Sequence, residues 1–268
     1  MKVERRRVDF SRASVPHLST VNGLPFDFMT FSFEPGRVLY LGSGILGYDK
    51  PAGLPVHRGT GHPVGLAEIL ETWAASDPAR GLEAGWTTAP LHRLDLEASG
   101  VVLFGLARET ARAIQAAFAA GQVQKRYLAV VSGPVPEEGA IEGLVRSRLR
   151  GVYRNLPSSL DYRRLAGDER LSLVEVVPRG GRTHQIRSLF AEIGRPLAGD
   201  LRYGRPKPAR QFLLKFNVGH LVLHALEVSI PAGVLGSALT MKAPLPEGLR
   251  RLATAKGWQV PETPEGES

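Results

Sequence analysis

The 268-residue chain carries 34 Lys and Arg against 26 Asp and Glu, a formal charge of +8, with 43% hydrophobic and 22% charged residues. That length suits one sizeable domain, or a core with a small appendage, and 30 glycines with 20 prolines point to many turns, hence mixed α and β rather than a helical bundle. The absence of cysteine excludes a disulfide scaffold, a thiolate zinc site, an iron–sulfur cluster and a thiol nucleophile.

Residues 1–36 show little periodicity, with Pro16, Pro25 and Pro35 among Ser, Phe and Arg, and read as an irregular arm packed on the core. The charged start Met1–Phe10 lacks the apolar core of a signal peptide. Val38–Leu41 reads as a strand and Pro51–Gly61 as a loop, after which Pro63 suits the first turn of a helix through Leu66, Ile69, Leu70 and Trp73. Gly100–Ala107 reads as a buried strand. As the longest apolar run it is too short to cross a bilayer, so a soluble, cytoplasmic protein is expected. A helix follows with Ala111, Ile114, Ala117 and Phe118 on one face and Gly121 as its stop. Lys125–Val131 reads as a strand with Tyr127 and Ala129 opposite Arg126, Leu128 and Val130, and Leu171–Val177 as another. Thr183 is placed to cap a helix whose stripe is Ile186, Leu189, Phe190 and Ile193, closed by Gly194. Phe212–Asn217 and Leu221–Ile230 read as strands, Glu247–Lys256 as a short helix, and 258–268 as a frayed tail. Strands and helices interleave without a strict βαβ rhythm, which predicts an α+β fold: a mixed, mostly antiparallel sheet with flanking helices over residues 37–257.

Charge is concentrated. Between Arg179 and Lys215 nine basic residues face only Glu192 and Asp200, while the rest of the chain has 25 basic against 24 acidic. A basic segment of this kind is the footprint of phosphates, and favours RNA or DNA over a merely solvated face.

Several motifs fail on their context. Gly42-Ser-Gly44-Ile-Leu-Gly47 matches the dinucleotide fingerprint by letter, but Asp49-Lys50-Pro51-Ala52-Gly53 follows, where no helix can start to receive a pyrophosphate. His220 and His224 have metal spacing for a helix but sit in a strand-like run, and His57 and His62 flank a glycine-rich loop. No metal and no serine nucleophile are expected. Two stretches are dense in chemistry. In Leu91-His92-Arg93-Leu94-Asp95-Leu96-Glu97 the charges share one face if the segment is extended. They read either as an exposed ion-pair ladder or as a carboxylate beside an arginine at the mouth of a cleft. In Gly180-Gly181-Arg182-Thr183-His184-Gln185-Ile186-Arg187 the glycines allow close backbone approach, and the helix start beyond them offers free N–H groups to an anion.

Together these stretches resemble the RluA-type pseudouridine synthases. His92-Arg93-Leu94-Asp95 with Ser99-Gly100 looks like the family's signature. Gly181 to Arg187, then Gly199-Asp200 and Tyr203-Gly204, resembles its later motif. Lys125-Arg126-Tyr127-Leu128-Ala129, Asp49 to Leu54 with His57, and Leu223-His224-Ala225 match further blocks in order, over roughly residues 38–250. Ala98 stands where the family usually has threonine, a change expected to loosen the turn after Asp95, and residues 1–36 do not resemble the helical RNA-binding module of many relatives. The resemblance implies the family's long, mostly antiparallel sheet and isomerisation of uridine to pseudouridine within ribosomal or transfer RNA, with no cofactor, by a monomer. It also implies roles. Asp95 is the carboxylate that attacks or deprotonates the sugar, Tyr127 stacks on the target base, and Arg187, held near the buried edge of its helix, forks onto Asp95. Arg93, Arg182, His184, Arg202 and Arg205 hold RNA. Two other readings are an inactive RNA-binding protein of the same fold and a glycoside hydrolase using Asp95 and Glu97. The second suffers because neighbouring same-face residues cannot flank one bond from opposite sides.

Overall fold

The computed structural model describes residues 31–59, 62–84, 88–149 and 151–261, and the first thirty residues of the expected arm and most of the expected tail lie outside them. The chain enters through Phe33, buried and stacked on Trp73 with ring centroids 4.4 Å apart. β1 (Val38–Gly42) and β2 (Ile45–Lys50) then form a hairpin. Its turn is Ser43–Gly44, both at positive φ (50° and 71°), as a two-residue hairpin turn requires. The glycine-rich letters of the dinucleotide fingerprint therefore serve a β-turn.

α1 (Leu66–Ala75) begins three residues after Pro63, with Gly65 as its cap. Glu68 accepts the Gly65 N–H at 2.9 Å, so the capping glutamate sets the start rather than the proline. β3 (Ala89–Pro90), which the sequence reading did not expect, follows, and then β4 (Ser99–Gly105), α2 (Arg108–Ala119) and β5 (Gln124–Ser132), close to the expected bounds. Next come β6 (Glu138–Leu149) and β7 (Val152–Gly167), a long hairpin that the sequence pattern does not announce, and then β8 (Leu171–Pro178). α3 (Gln185–Glu192) carries Arg187.

Two local expectations are corrected here. Thr183 does not cap α3: His184 takes that place in the left-handed region (φ 57°) with no side-chain cap bond. Ile193 lies past the helix end and is 46% exposed, leaving Ile186, Leu189 and Phe190 as the buried stripe. A third correction concerns Phe212–Asn217, expected as a strand, which forms the end of α4 (Pro206–Phe216). Pro206 presets the first turn, Phe212 and Phe216 meet one turn apart with centroids at 5.2 Å, and Asn217 closes the helix at φ 49°. Six mostly apolar residues are too few to tell the two periods apart. β9 (Leu223–Ile230), α5 (Ala232–Leu235), β10 (Leu239–Lys242) and α6 (Glu247–Lys256) complete the chain.

The ten strands form one sheet in the order β1-β2-β4-β9-β5-β8-β7-β6, with β10 on β9 and β3 on β4. Among the described residues every named pairing is antiparallel except β4 with β9. This is the expected α+β sheet. Alternation along β5 sorts its two faces. Tyr127, Ala129 and Val131 join a core with α1 and α3, whereas Leu128 and Val130 join one with α6, as period two demands. α2 covers the second face further along, through Ala111, Ile114 and Ala117.

The parallel β4–β9 contact fixes the strand that leaves Asp95. Ser99 pairs with His224 and Gly100 with Ala225, and Ser99 Oγ lies 2.9 Å from His224 Nδ1. Gly100 adopts φ 107°, and a Cβ there would run into the Ala225 backbone. Gly100→Ala is therefore expected to cost about 3 kcal/mol or more, lowering the melting temperature by about 10 °C. Unchanged melting would show that the strands do not approach so closely.

Candidate active site

The site sits on the α1/α3 face of the sheet, in a cleft of about 770 Å³ lined by Arg93, Asp95, Lys125, Tyr127, Arg182 and His184 among others. Asp95 lies on the loop between β3 and β4, not on a strand. The loop is pinned through the next residue, whose Leu96 carbonyl accepts the Gly53 N–H at 2.8 Å and Lys50 Nζ at 3.3 Å. Ala98 N–H bonds back to the Asp95 carbonyl at 3.2 Å. The turn thus closes on its backbone, and alanine in the threonine position does not open it.

Lys50 is fully buried, and its ammonium also donates to the carbonyls of Leu54 (2.7 Å) and Pro51 (2.9 Å). Burial pulls its pKa down to about 7, opposed by Asp95, Glu97 and Asp49. His92 is turned away from any acid–base role. Its Nε2 accepts the Leu103 N–H at 3.2 Å, and burial, with Lys125 nearby, holds its pKa down at about 3.

Arg187 is the hub of the site, with a side chain only 1% exposed. Its fork is not on Asp95 as expected. Nε and Nη2 make the two-pronged pair with Asp200, at 2.7 and 3.0 Å, and Nη1 alone reaches outward, 3.3 Å from Asp95 Oδ2 and 3.0 Å from Glu97 Oε2. The reason is geometric: Asp200 is fully buried beside α3, while Asp95 stands at the cleft wall. Burial lowers the Arg187 pKa, but Asp200, Glu97 and Asp95 outweigh it and hold it above the ordinary arginine value. Burial raises Asp200, yet the hydrogen bonds from Arg187 and from the Tyr203 and Arg202 N–H groups leave its pKa below the ordinary value.

Tyr127 on β5 is 8% exposed. Burial first, and the Asp95 charge second, push its hydroxyl pKa well up, so it faces the cleft as a neutral aromatic wall. His184 is held between two groups, with Nε2 3.8 Å from Asp95 Oδ1 and Nδ1 3.1 Å from the Tyr203 hydroxyl. Burial lowers its pKa, with Asp95 opposing. Gln185 ties this loop to β7: its Nε2 donates to the Ser159 carbonyl at 2.8 Å and its Oε1 accepts the Arg182 N–H at 3.0 Å.

The structure brings Asp95, Tyr127, Arg187 and His184 together and leaves Arg93 and Arg182 exposed on the rim. Arg202 and Arg205 are exposed but do not line the cleft. Arg187 belongs to the basic run in sequence yet is buried and paired, so the run offers fewer free charges than its count suggests. Asp200, Lys50 and Gln185 stand in stretches that the sequence singled out, but none had a role there, because each acts through a contact distant in sequence.

A carboxylate held by one arginine faces an aromatic wall in a cleft with a basic rim, an arrangement suited to a base taken out of a nucleic-acid stack. The family described as RNA pseudouridylate synthase matches residues 45–192. A relative named tRNA pseudouridine synthase C, from Pectobacterium carotovorum subsp. carotovorum, is 30% identical over 83% of this chain, which spans 62% of that protein's length. One named ribosomal large subunit pseudouridine synthase D, from Xanthomonas campestris pv. campestris, is 33% identical over 82% of this chain and 69% of its own. The solved structure of human RNA pseudouridylate synthase domain containing 4 superposes with a TM-score of 0.69 at 22% identity, over 85% of this chain and 95% of that one. The chain belongs to the RNA pseudouridylate synthase family.

Proposed function

We propose that this protein isomerises specific uridines of structured ribosomal or transfer RNA, in the cytoplasm and as a monomer, with Asp95 as the catalytic carboxylate. No atom is gained or lost in such a reaction: the bond from N1 to the sugar breaks, the uracil turns, and a bond from C5 to the same sugar carbon forms. N1 takes up a proton and C5 gives one up. Asp95 acts on the sugar, Tyr127 stacks against the base, and Arg187 holds the carboxylate in place. Arg93, Arg182 and His184 meet the backbone around the flipped nucleotide, with Arg202 and Arg205 further out on the basic segment. The observation that carries this reading is the single Arg187 N–H that reaches Asp95 (3.3 Å) while Asp200 holds the rest of the guanidinium. It sets a fixed cation beside Asp95, with Glu97 sharing the same nitrogen at 3.0 Å, at the wall of a cleft large enough for a base. Family membership speaks for the active enzyme over the inactive RNA binder. No described helix is long and apolar enough to cross a membrane.

Purified protein, given RNA tritiated at uracil C5 from cells lacking the gene, is expected to release tritium to water in the presence of a strong metal chelator. Binding without release would refute the assignment. Mapping pseudouridines in cells with and without the gene decides between ribosomal and transfer RNA.

A further inference from the structure

The ladder between β5 and β8 stops at Tyr127↔Val176, although both strands run on past it. β8 ends at Pro178, which has no N–H to offer, and the chain leaves the sheet as the loop 179–184 that leads into α3. On the β7 side this loop is held at one carbonyl, that of Ser159, which accepts the Arg179 N–H at 2.9 Å and Gln185 Nε2 at 2.8 Å. On the β5 side the hold passes to a side chain. Lys125 stands two residues before Tyr127, both line the cleft, and the Lys125 ammonium donates to the Gly180 carbonyl at 2.6 Å. Arg126, between them, pairs instead with Glu175 and Glu227.

No carboxylate among the described residues balances Lys125, and burial lowers its pKa below the ordinary lysine value. Its neighbours are neutral: the Phe118 ring, whose centroid is 5.9 Å from Nζ, and the His92 imidazole, whose pKa Lys125 helps to hold down. A lysine kept for solubility gains nothing from burial without an acid. One that makes a charge-assisted hydrogen bond does, since such a bond is stronger than a neutral one. The loop it holds has few other ties. Gly180, Gly181, Arg182 and Thr183 are exposed, and Arg182 and Gln185 bond mainly to each other, through the Arg182 N–H to Gln185 Oε1 and the Gln185 N–H to the Arg182 carbonyl. The loop ends on His184, at φ 57°, with Nε2 3.8 Å from Asp95 Oδ1. A shift at Gly180 is therefore passed on to the imidazole beside the carboxylate.

We infer that Lys125 is a positioning residue: by holding the Gly180 carbonyl it keeps the 179–184 loop, and His184 with it, in place against Asp95. This rests on the reading of Asp95 as the catalytic carboxylate and adds to it a group that acts without touching the substrate. The test compares the unmodified protein with Lys125→Met, which keeps the stem but loses the donor, and with Lys125→Arg, which keeps charge and donor. The methionine variant is expected to lose about tenfold in kcat for tritium release from uracil C5, because small displacements around reacting groups are costly, with KM for RNA within about twofold. Arginine restores kcat to within about threefold, since it again offers a charged donor. Amide hydrogen exchange at Arg182 and Gln185 quickens about tenfold in the methionine variant, while that of Leu128 and Val130 in β5 stays as it was. A raised KM with kcat preserved makes Lys125 a phosphate clamp and overturns the inference. So does a fall in kcat without faster exchange, which would place the ammonium on the reacting nucleotide, and so does equal turnover by all three proteins. An unmodified protein that releases no tritium overturns the functional reading first, and the positioning role with it.

Discussion

Asp95→Asn is expected to abolish release of the uracil C5 proton while leaving RNA affinity within about twofold, because the change removes one charge from an otherwise unaltered hydrogen-bonding shape. The carboxylate lies on a loop held by its backbone, through the Leu96 carbonyl and the Ala98 N–H, so the asparagine keeps its position. The amide can still accept from Arg187, but it can neither attack nor deprotonate a sugar. Rim groups such as Arg93 and Arg182 are untouched, so binding persists. An asparagine variant that still turns over would remove Asp95 from the chemistry. The carboxylate would then have to be Glu97, which shares the same Arg187 nitrogen at 3.0 Å but is more open, its side chain 35% exposed.

The second large effect is at Arg187. Arg187→Met leaves Asp95, Glu97 and Asp200 without the guanidinium between them. Breaking a buried pair by removing one partner costs about 3–5 kcal/mol of stability, and turnover should vanish. Arg187→Lys keeps the charge. One ammonium cannot hold Asp200 with two parallel bonds and still reach Asp95, so kcat is expected to fall by about a hundredfold, roughly the effect of losing one oriented electrostatic contact. RNA affinity should stay near normal in the folded lysine variant, because a side chain 1% exposed meets no phosphate. Asp200→Asn supplies an independent reading: it leaves the Arg187 charge in place but loosens its anchor, and should lower kcat without raising KM. If instead affinity falls and saturated turnover survives, Arg187 is a phosphate clamp and its role as a positioning residue is wrong.

Much of this was legible along the chain. β4, β5, β8, β9, α2 and α6 follow from apolar periodicity and from stop signals such as Gly121, since each is long enough to show its period and buries one face. α4 was not, because Phe212 to Asn217 is short, mostly apolar and consistent with either period. The β6–β7 hairpin was not either. Its outer strand is exposed from Val152 to Asn155, and arginines, glycines and Pro157 interrupt the alternation that marks a strand.

The sequence by itself determined the family and the α+β class, and singled out Asp95, Tyr127 and Arg187 as candidates, because these rest on residue types at set spacings within short stretches. The tertiary structure alone decided how those residues are wired. Arg187 meets Asp95 across 92 residues. Its fork closes on Asp200 because α3 buries that carboxylate beside it, and Lys50 pins the Asp95 loop from a strand 46 residues away from Leu96. Local periodicity records which face of an element is buried. Which buried charge pairs with which depends on where the sheet order and the burial of each carboxylate set them, and no window of sequence contains that.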